Sequence, residues 1–210
     1  MNRKIVLSSL AVVVLLSGCG KNAAPQETAA PAVPSAQPET VQAAPWRQDG
    51  ERFEDVIILE GTEEPVKYEH VRNETLGFEL DYDYESLSRN SEADRERFVS
   101  IYDDAQDPWN YLEVTRSTAD TEAAAAAVSE ALSAEYEVSR ESITLERAGA
   151  CIRLGAYTAR DGGLPAQIQT VYIIPAPDGC RIAAAHCAME AAEGFGRRFD
   201  YMMQTFSVIA

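Results

Sequence analysis

The sequence predicts an α+β domain, an antiparallel sheet covered by helices, standing behind an export leader and a long spacer. Three observations carry that expectation. Apolar and polar side chains alternate with a period of two over most of the chain after residue 50, an alanine-rich helical segment lies in the middle, and an amphipathic segment closes the chain. The expected division is 1–18 leader, 19–49 linker and 50–210 one folded domain.

Arg3 and Lys4 form a positive start, and Ile5 to Leu16 (IVLSSLAVVVLL) form an apolar run that ends at small residues, the layout of a secretory signal. As a helix this run would span roughly 18 Å, short of the ~30 Å hydrocarbon core, so it reads as a leader and not as a mature membrane helix. The residues Leu16-Ser17-Gly18-Cys19 resemble the lipobox of bacterial lipoproteins. That resemblance implies a diacylglyceryl group on the Cys19 sulfur, cleavage just before Cys19, and a membrane partner reached through that lipid. Two or more acyl chains, at about 0.8 kcal/mol per buried methylene, hold a protein stably where one does not. Gly20 in place of an acid implies no inner-membrane retention signal in a two-membrane cell.

From Asn22 to Pro45 the chain is mostly Ala, Pro, Gln, Glu and Thr, and Pro25, Pro31, Pro34, Pro38 and Pro45 break any helix the alanines start. An extended spacer of this kind reaches on the order of 75 Å, enough to carry a domain clear of lipid head groups. The formal charge of the whole chain is −16, and loss of Arg3 and Lys4 with the leader makes the remainder more acidic. Such a surface repels nucleic acid, so no nucleic-acid partner is expected.

Within the domain, Val56 to Leu59, Glu64 to Val71 and Gly77 to Tyr82 read as strands. Tyr84 to Arg97 is polar and reads as a loop with a helical turn. Phe98 to Tyr102 and Tyr111 to Thr115 follow as strands around an Asp107-Pro108-Trp109-Asn110 turn, with Leu112 and Val114 facing inward. Asp120 to Tyr136 is the clearest helix, with an acid in its first turn and an alanine-rich body. Three strands come next, Ile143 to Tyr157, Ala166 to Ile174 and Cys180 to Met189, turned at Gly162-Gly163 and at Pro177-Asp178-Gly179. Phe195, Phe199, Met202, Met203 and Phe206 then recur at helical spacing and form a core-facing stripe. This register sets Cys151 and Cys180 on either side of one strand, roughly 9.6 Å apart, beyond the ~7 Å a disulfide tolerates.

The segment Leu76-Gly77-Phe78-Glu79-Leu80-Asp81-Tyr82, the alanine-rich helix, the meander and the ending Met203-Gln204-Thr205-Phe206 resemble the PsbP-like fold over about residues 64–210. The resemblance implies a non-catalytic accessory or binding domain. It assigns no functional residue.

His70 and His186 fall in no spaced ligand pattern, so zinc is not expected, and the adjacent His186 and Cys187 point to opposite sides of a strand. Asp103, Asp104 and Asp107 are candidate ligands for a weak calcium site or else a solvated turn, with fewer oxygens than the 6–8 calcium prefers. Trp109 and Tyr111 are candidates for an aromatic platform that would take a glycan or peptide, or else packing residues. No cofactor is implied. The expectation is therefore a non-catalytic, lipid-anchored domain of the cell envelope with an envelope protein or glycan as partner. An envelope hydrolase working through carboxylates or a thiol, and a calcium-binding module, are the alternatives.

Overall fold

The computed structural model describes residues 46–59, 61–104, 106–158 and 166–209. The leader, Cys19, the spacer through Pro45 and the Gly162-Gly163 turn lie outside the described residues. Among the described residues no helix is long and apolar enough to cross a membrane.

The fold is α+β with two antiparallel sheets, not the one sheet expected. Strands β1 (Arg52–Leu59), β2 (Thr62–Asn73) and β3 (Phe78–Asp83) form the first sheet with the short closing strand β11 (Ser207–Val208), in the order β1-β2-β3-β11. The second sheet has seven strands: β4 (Leu87–Ser91), β5 (Arg95–Ser100), β6 (Tyr111–Ser117), β7 (Glu137–Leu145), β8 (Gly149–Thr158), β9 (Gln167–Ala176) and β10 (Gly179–Ala188). Their order is β4-β5-β6-β10-β9-β8-β7. The chain passes between sheets at a tight turn in which Asp83 Oδ1 accepts from Glu85 N at 3.0 Å and Ser86 N at 3.2 Å. An aspartate side chain that caps its own turn in this way redirects the strand, and alternation alone does not reveal it.

The segment expected to be a loop, Tyr84 to Arg97, contains β4 and the first half of β5, whose second half is the start of the strand expected from Phe98. One of its charged residues, Glu96, is buried by pairing. Glu96 has no solvent exposure and accepts from Arg89 Nε and Ser91 Oγ, each at 2.6 Å, and from Asn73 Nδ2 at 2.7 Å. A strand that carries its charges inward defeats a reading based on hydropathy. The single strand expected over Ile143 to Tyr157 is likewise a hairpin, β7 to β8, paired from Glu137↔Tyr157 to Leu145↔Gly149. Strand β7 is an edge strand, mostly exposed, and so has little apolar signal.

Helix α1 (Thr121–Leu132) begins where its sequence signals place it, with Asp120 Oδ1 accepting from Ala123 N at 2.8 Å. It ends four residues before the expected Tyr136, because Ser133 closes the last turn through Ser129 O. The terminal segment is not one continuous helix. A 3₁₀ turn (Met189–Ala191) and a wide π turn (Ala192–Gly196) precede helix α2 (Arg197–Thr205).

Both faces of the seven-stranded sheet are covered. On one face Phe98, Leu112, Val114, Tyr172, Ile174, Ala183 and Cys187 pack against the first sheet and α2, with Phe199, Met202, Met203 and Phe206 supplied by the terminal segment. On the other face Ile152, Leu154, Val171, Ile173 and Cys180 pack against Ala124, Ala125 and Leu132 of α1. The cysteine register holds: Ile152 pairs with Ile173, and Cys180 with Pro175, so Cys151 and Cys180 flank β9. They also lie on opposite faces, since Cys151 joins the first cluster and Cys180 the second. Cys151, Cys180 and Cys187 are free and buried.

The first sheet is tied down by ion pairs on the face away from that shared core. Glu79, Asp81 and Asp83 alternate with Phe78, Leu80 and Tyr82 along β3 and are all buried. Arg72 meets Glu79 at 2.7 Å, and Arg198 meets Asp83 at 2.8 Å. Asp81 is held by His70 Nδ1 at 2.7 Å and by Arg47 at 3.0 Å. Arg47 lies over the rings of Trp46 and Phe53, so the first described residues already pack on the sheet.

Arg181, 2% exposed, is a buried charge that reaches from the seven-stranded sheet to the start of β3. Its Nε donates to Gly77 O at 3.2 Å, and its other nitrogens meet Asp178. Gly77 has φ +69°, and a Cβ there would lie 2.4 Å from Arg181 NH2; Gly149 has φ +78° with open space around the same position. Gly77→Ala is therefore expected to lose about 2–4 kcal/mol, from backbone strain and displacement of a paired charge, and Gly149→Ala about 1 kcal/mol. Thermal denaturation of the two variants side by side checks the difference; equal losses would remove the role given to Arg181.

Candidate binding cleft

A cleft of about 330 Å³ opens between the seven-stranded sheet and the terminal segment. Its floor comes from one face of two paired strands. Ala185↔Thr170 and Cys187↔Ile168 are register partners on β10 and β9, and Tyr172 follows two residues after Thr170 on the same face. The roof is formed by Ala192, Gly196 and Phe199. The cleft exists because the segment from Met189 to Gly196 winds as 3₁₀ and π turns, which hold the chain off the sheet where a regular helix would pack closely.

Three charged residues of the terminal segment, Glu193, Arg197 and Asp200, stand at the mouth. All three meet solvent. Their spacing of four and then three residues places them on one side of the segment, beside the apolar stripe. Tyr172 Oη donates to Asp200 Oδ1 at 3.5 Å. Surrounding protein desolvates the Asp200 carboxyl and raises it above the usual carboxylate range, with Arg197 and Arg153 opposing the shift. Burial likewise pushes the Tyr172 phenol up to about 12.

The floor thiol, Cys187, donates to Ala188 O at 3.2 Å, and burial pushes it up to about 11. His186 is on the opposite side of β10, stacked on Tyr111 with ring centroids 4.3 Å apart. Gln169 Nε2 lies 2.9 Å from His186 Nε2, a contact that suits a neutral ring because the amide donates. Burial, helped by Arg97, lowers His186 to about 4. The alternation that separates His186 from Cys187 in the sequence separates them in the fold.

The residues proposed from sequence lie elsewhere. Asp103 Oδ2 accepts from Trp109 N at 2.8 Å and Asn110 N at 2.6 Å, and Asp104 Oδ1 accepts from Gln106 N at 2.9 Å, so these carboxylates organise their own turn. Asp107 closes the same turn through its backbone N–H to Asp104 O. Among the described residues no group of three or more His, Cys, Asp or Glu side chains is placed to hold a metal ion. Trp109 is half-buried in that loop, whereas Tyr111 is half-buried between His186 and the Arg97 guanidinium, and the two do not form a shared exposed face. Sequence reasoning singled out only the apolar stripe of this segment, and Glu193, Arg197 and Asp200 lie between its positions. Their coincidence with the irregular winding at Gly194 and Gly196 was the available signal.

Two measurements check this chemistry. Iodoacetamide at pH 8 is expected to label Cys187 and Cys151 only slowly in the native protein and fully after denaturation, since both thiols are raised to about 11. Rapid native labelling of Cys187 would contradict the buried thiol. His186 binds a proton near 6.5 when unfolded but only near 4 when folded, so the unfolded state takes up more protons between these values. Stability is accordingly expected to fall as pH drops from about 6.5 to 4 and to lose this dependence below that range, and His186→Gln is expected to flatten this part of a melting-temperature profile.

Comparison with protein-family models gave no match, and comparison with curated proteins gave none. Three solved structures are similar in outline. LpqN of Mycobacterium tuberculosis, described as involved in cell envelope biogenesis, is 13% identical, with 77% of this chain and 94% of that chain covered and a TM-score of 0.45. The cyanobacterial PsbP protein CyanoP of Synechocystis is 12% identical, covering 67% and 92%, with a TM-score of 0.46. A protein of Bacteroides thetaiotaomicron is 7% identical over 63% of this chain, which spans 45% of that protein's length, with a TM-score of 0.40.

Proposed function

We propose that this protein is a non-catalytic accessory domain of the cell envelope, held at a membrane by lipid on Cys19 and carrying its binding site in the cleft beneath the terminal segment. The observation that supports this reading is the cleft's chemistry. It has the size and apolar lining of a small-molecule site, about 300 Å³ being the lower end of the usual range. Yet its thiol, Cys187, is desolvated with the neighbouring histidine facing the other way, and no histidine or lysine is among the described residues that line it beside the Thr170 and Tyr172 hydroxyls. Nucleophilic catalysis needs a base within hydrogen-bond reach of the attacking group. Hydrolysis by paired carboxylates needs them on opposite sides of the bond to be cut, whereas Glu193 and Asp200 stand on one wall. A site so built holds a ligand without transforming it.

A photoreactive residue placed at Glu193 in the anchored protein, in cells, is expected to trap a specific neighbour. The same residue at Glu130, on the exposed side of α1 across the sheet, is expected to trap none. Mass spectrometry of the N-terminal peptide is expected to show acylated Cys19. Equal trapping at both positions, or turnover of a trapped compound, would overturn the binding reading, and an intact leader would overturn the anchor.

A further inference from the structure

We infer that the cleft takes a small zwitterion with an apolar body, a free amino acid or a dipeptide, its carboxylate held by Arg197 and its ammonium by Asp200 and Glu193. The inference rests on the proposed binding role and names the ligand class. It begins from an irregularity in how the charges are used. Arginine in this fold is spent on pairing: Arg47, Arg72, Arg89, Arg181 and Arg198 each meet a carboxylate, and Arg147 lies over Trp46. Among the described residues Arg197 is the exception. Its backbone N–H donates to Gly194 O, but its guanidinium joins no hydrogen bond and no ion pair within 4 Å among the described residues, although it lies one turn from both Glu193 and Asp200. Glu193 is also without a partner, and Asp200 has only the long contact from Tyr172.

Charges of both signs at the mouth of one cavity, none of them joined in an ion pair within 4 Å, are complementary to a dipolar ligand and not to a simple anion or cation. An anion would meet Glu193 and Asp200, and a cation would meet Arg197. Below the charges the surface is apolar, with Ile168, Ala185, Cys187 and Phe199 exposed to the cavity. That floor suits an aliphatic or aromatic side chain. A volume of about 330 Å³ admits a body of this size and excludes a longer folded segment. The guanidinium presents a planar fork to a carboxylate, and the partly desolvated, solvent-reachable Asp200 carboxylate offers a partner to an incoming ammonium.

The test uses the full mature chain and four probes measured by calorimetry: leucine, leucyl-leucine, N-acetyl-leucine, which lacks the ammonium, and leucine methyl ester, which lacks the carboxylate. Leucine or leucyl-leucine is expected to bind, the tighter of the two identifying the source as free amino acid or dipeptide. Capping either charge is expected to weaken binding roughly tenfold or more. Arg197→Gln is expected to erase the preference for the tighter zwitterion over the methyl ester, and Asp200→Asn its preference over the N-acetyl form. Both residues are exposed, so the variants should melt as the parent does, which is checked first. No binding of leucine or leucyl-leucine at 10 mM, capped probes that bind as well as the zwitterion, or preferences unchanged in both variants would overturn the inference. If trapping at Glu193 persists in that case, the binding role stands and only the ligand class fails.

Discussion

The structure depends on one constraint: the central strands of the seven-stranded sheet are covered on both faces. Because successive side chains of a strand point to opposite sides, burying both requires apolar residues at consecutive positions. Strands β9 and β10 meet this with Val171-Tyr172-Ile173-Ile174 and with alanine, cysteine and isoleucine from Cys180 to Cys187. Small residues on β10 let two layers approach closely. The cysteines belong to this pattern, packing as small apolar side chains at positions the two cores divide between them.

The first sheet and the β4 edge solve the opposite problem, since many of their buried positions are charged. Glu79, Asp81, Asp83 and Glu96 lie inside and each is met by a cation or by hydrogen-bond donors. Removing one partner from such a pair leaves a buried charge uncompensated, which costs far more than the pair contributes to stability. The consequence is specificity of arrangement. Arg47 reaches Asp81 from the chain entering the domain, and Arg198 reaches Asp83 from the terminal helix, so both ends of the domain are pinned to β3 by charge.

The cleft arises where this close packing is interrupted. Between β10 and α2 the chain must turn back over the sheet within a few residues, and it does so through 3₁₀ and π turns containing two glycines. Wide turns leave space that a regular helix would fill. The site's character follows from its position. Its floor is a patch of the shared core left open, and its mouth is the charged side of the terminal segment, held at the edge of solvent.

What the sequence determined by itself was the class of the domain and the elements whose hydropathy follows their geometry. The capped helix at Asp120, the inward Leu112 and Val114, the Cys151 and Cys180 register about β9 and the apolar stripe of α2 all belong here. Each is legible because local periodicity and burial agree. Tertiary structure alone decided the second sheet, strand β4, the first half of β5, most of β7, and the cleft. Glu96 is buried because Arg89, Ser91 and Asn73 converge on it, and Arg197 is left unpaired because the winding before α2 carries it to a cavity mouth. Those outcomes turn on partners distant in the chain, and a periodic pattern encodes which face a residue takes but not which charge will meet it.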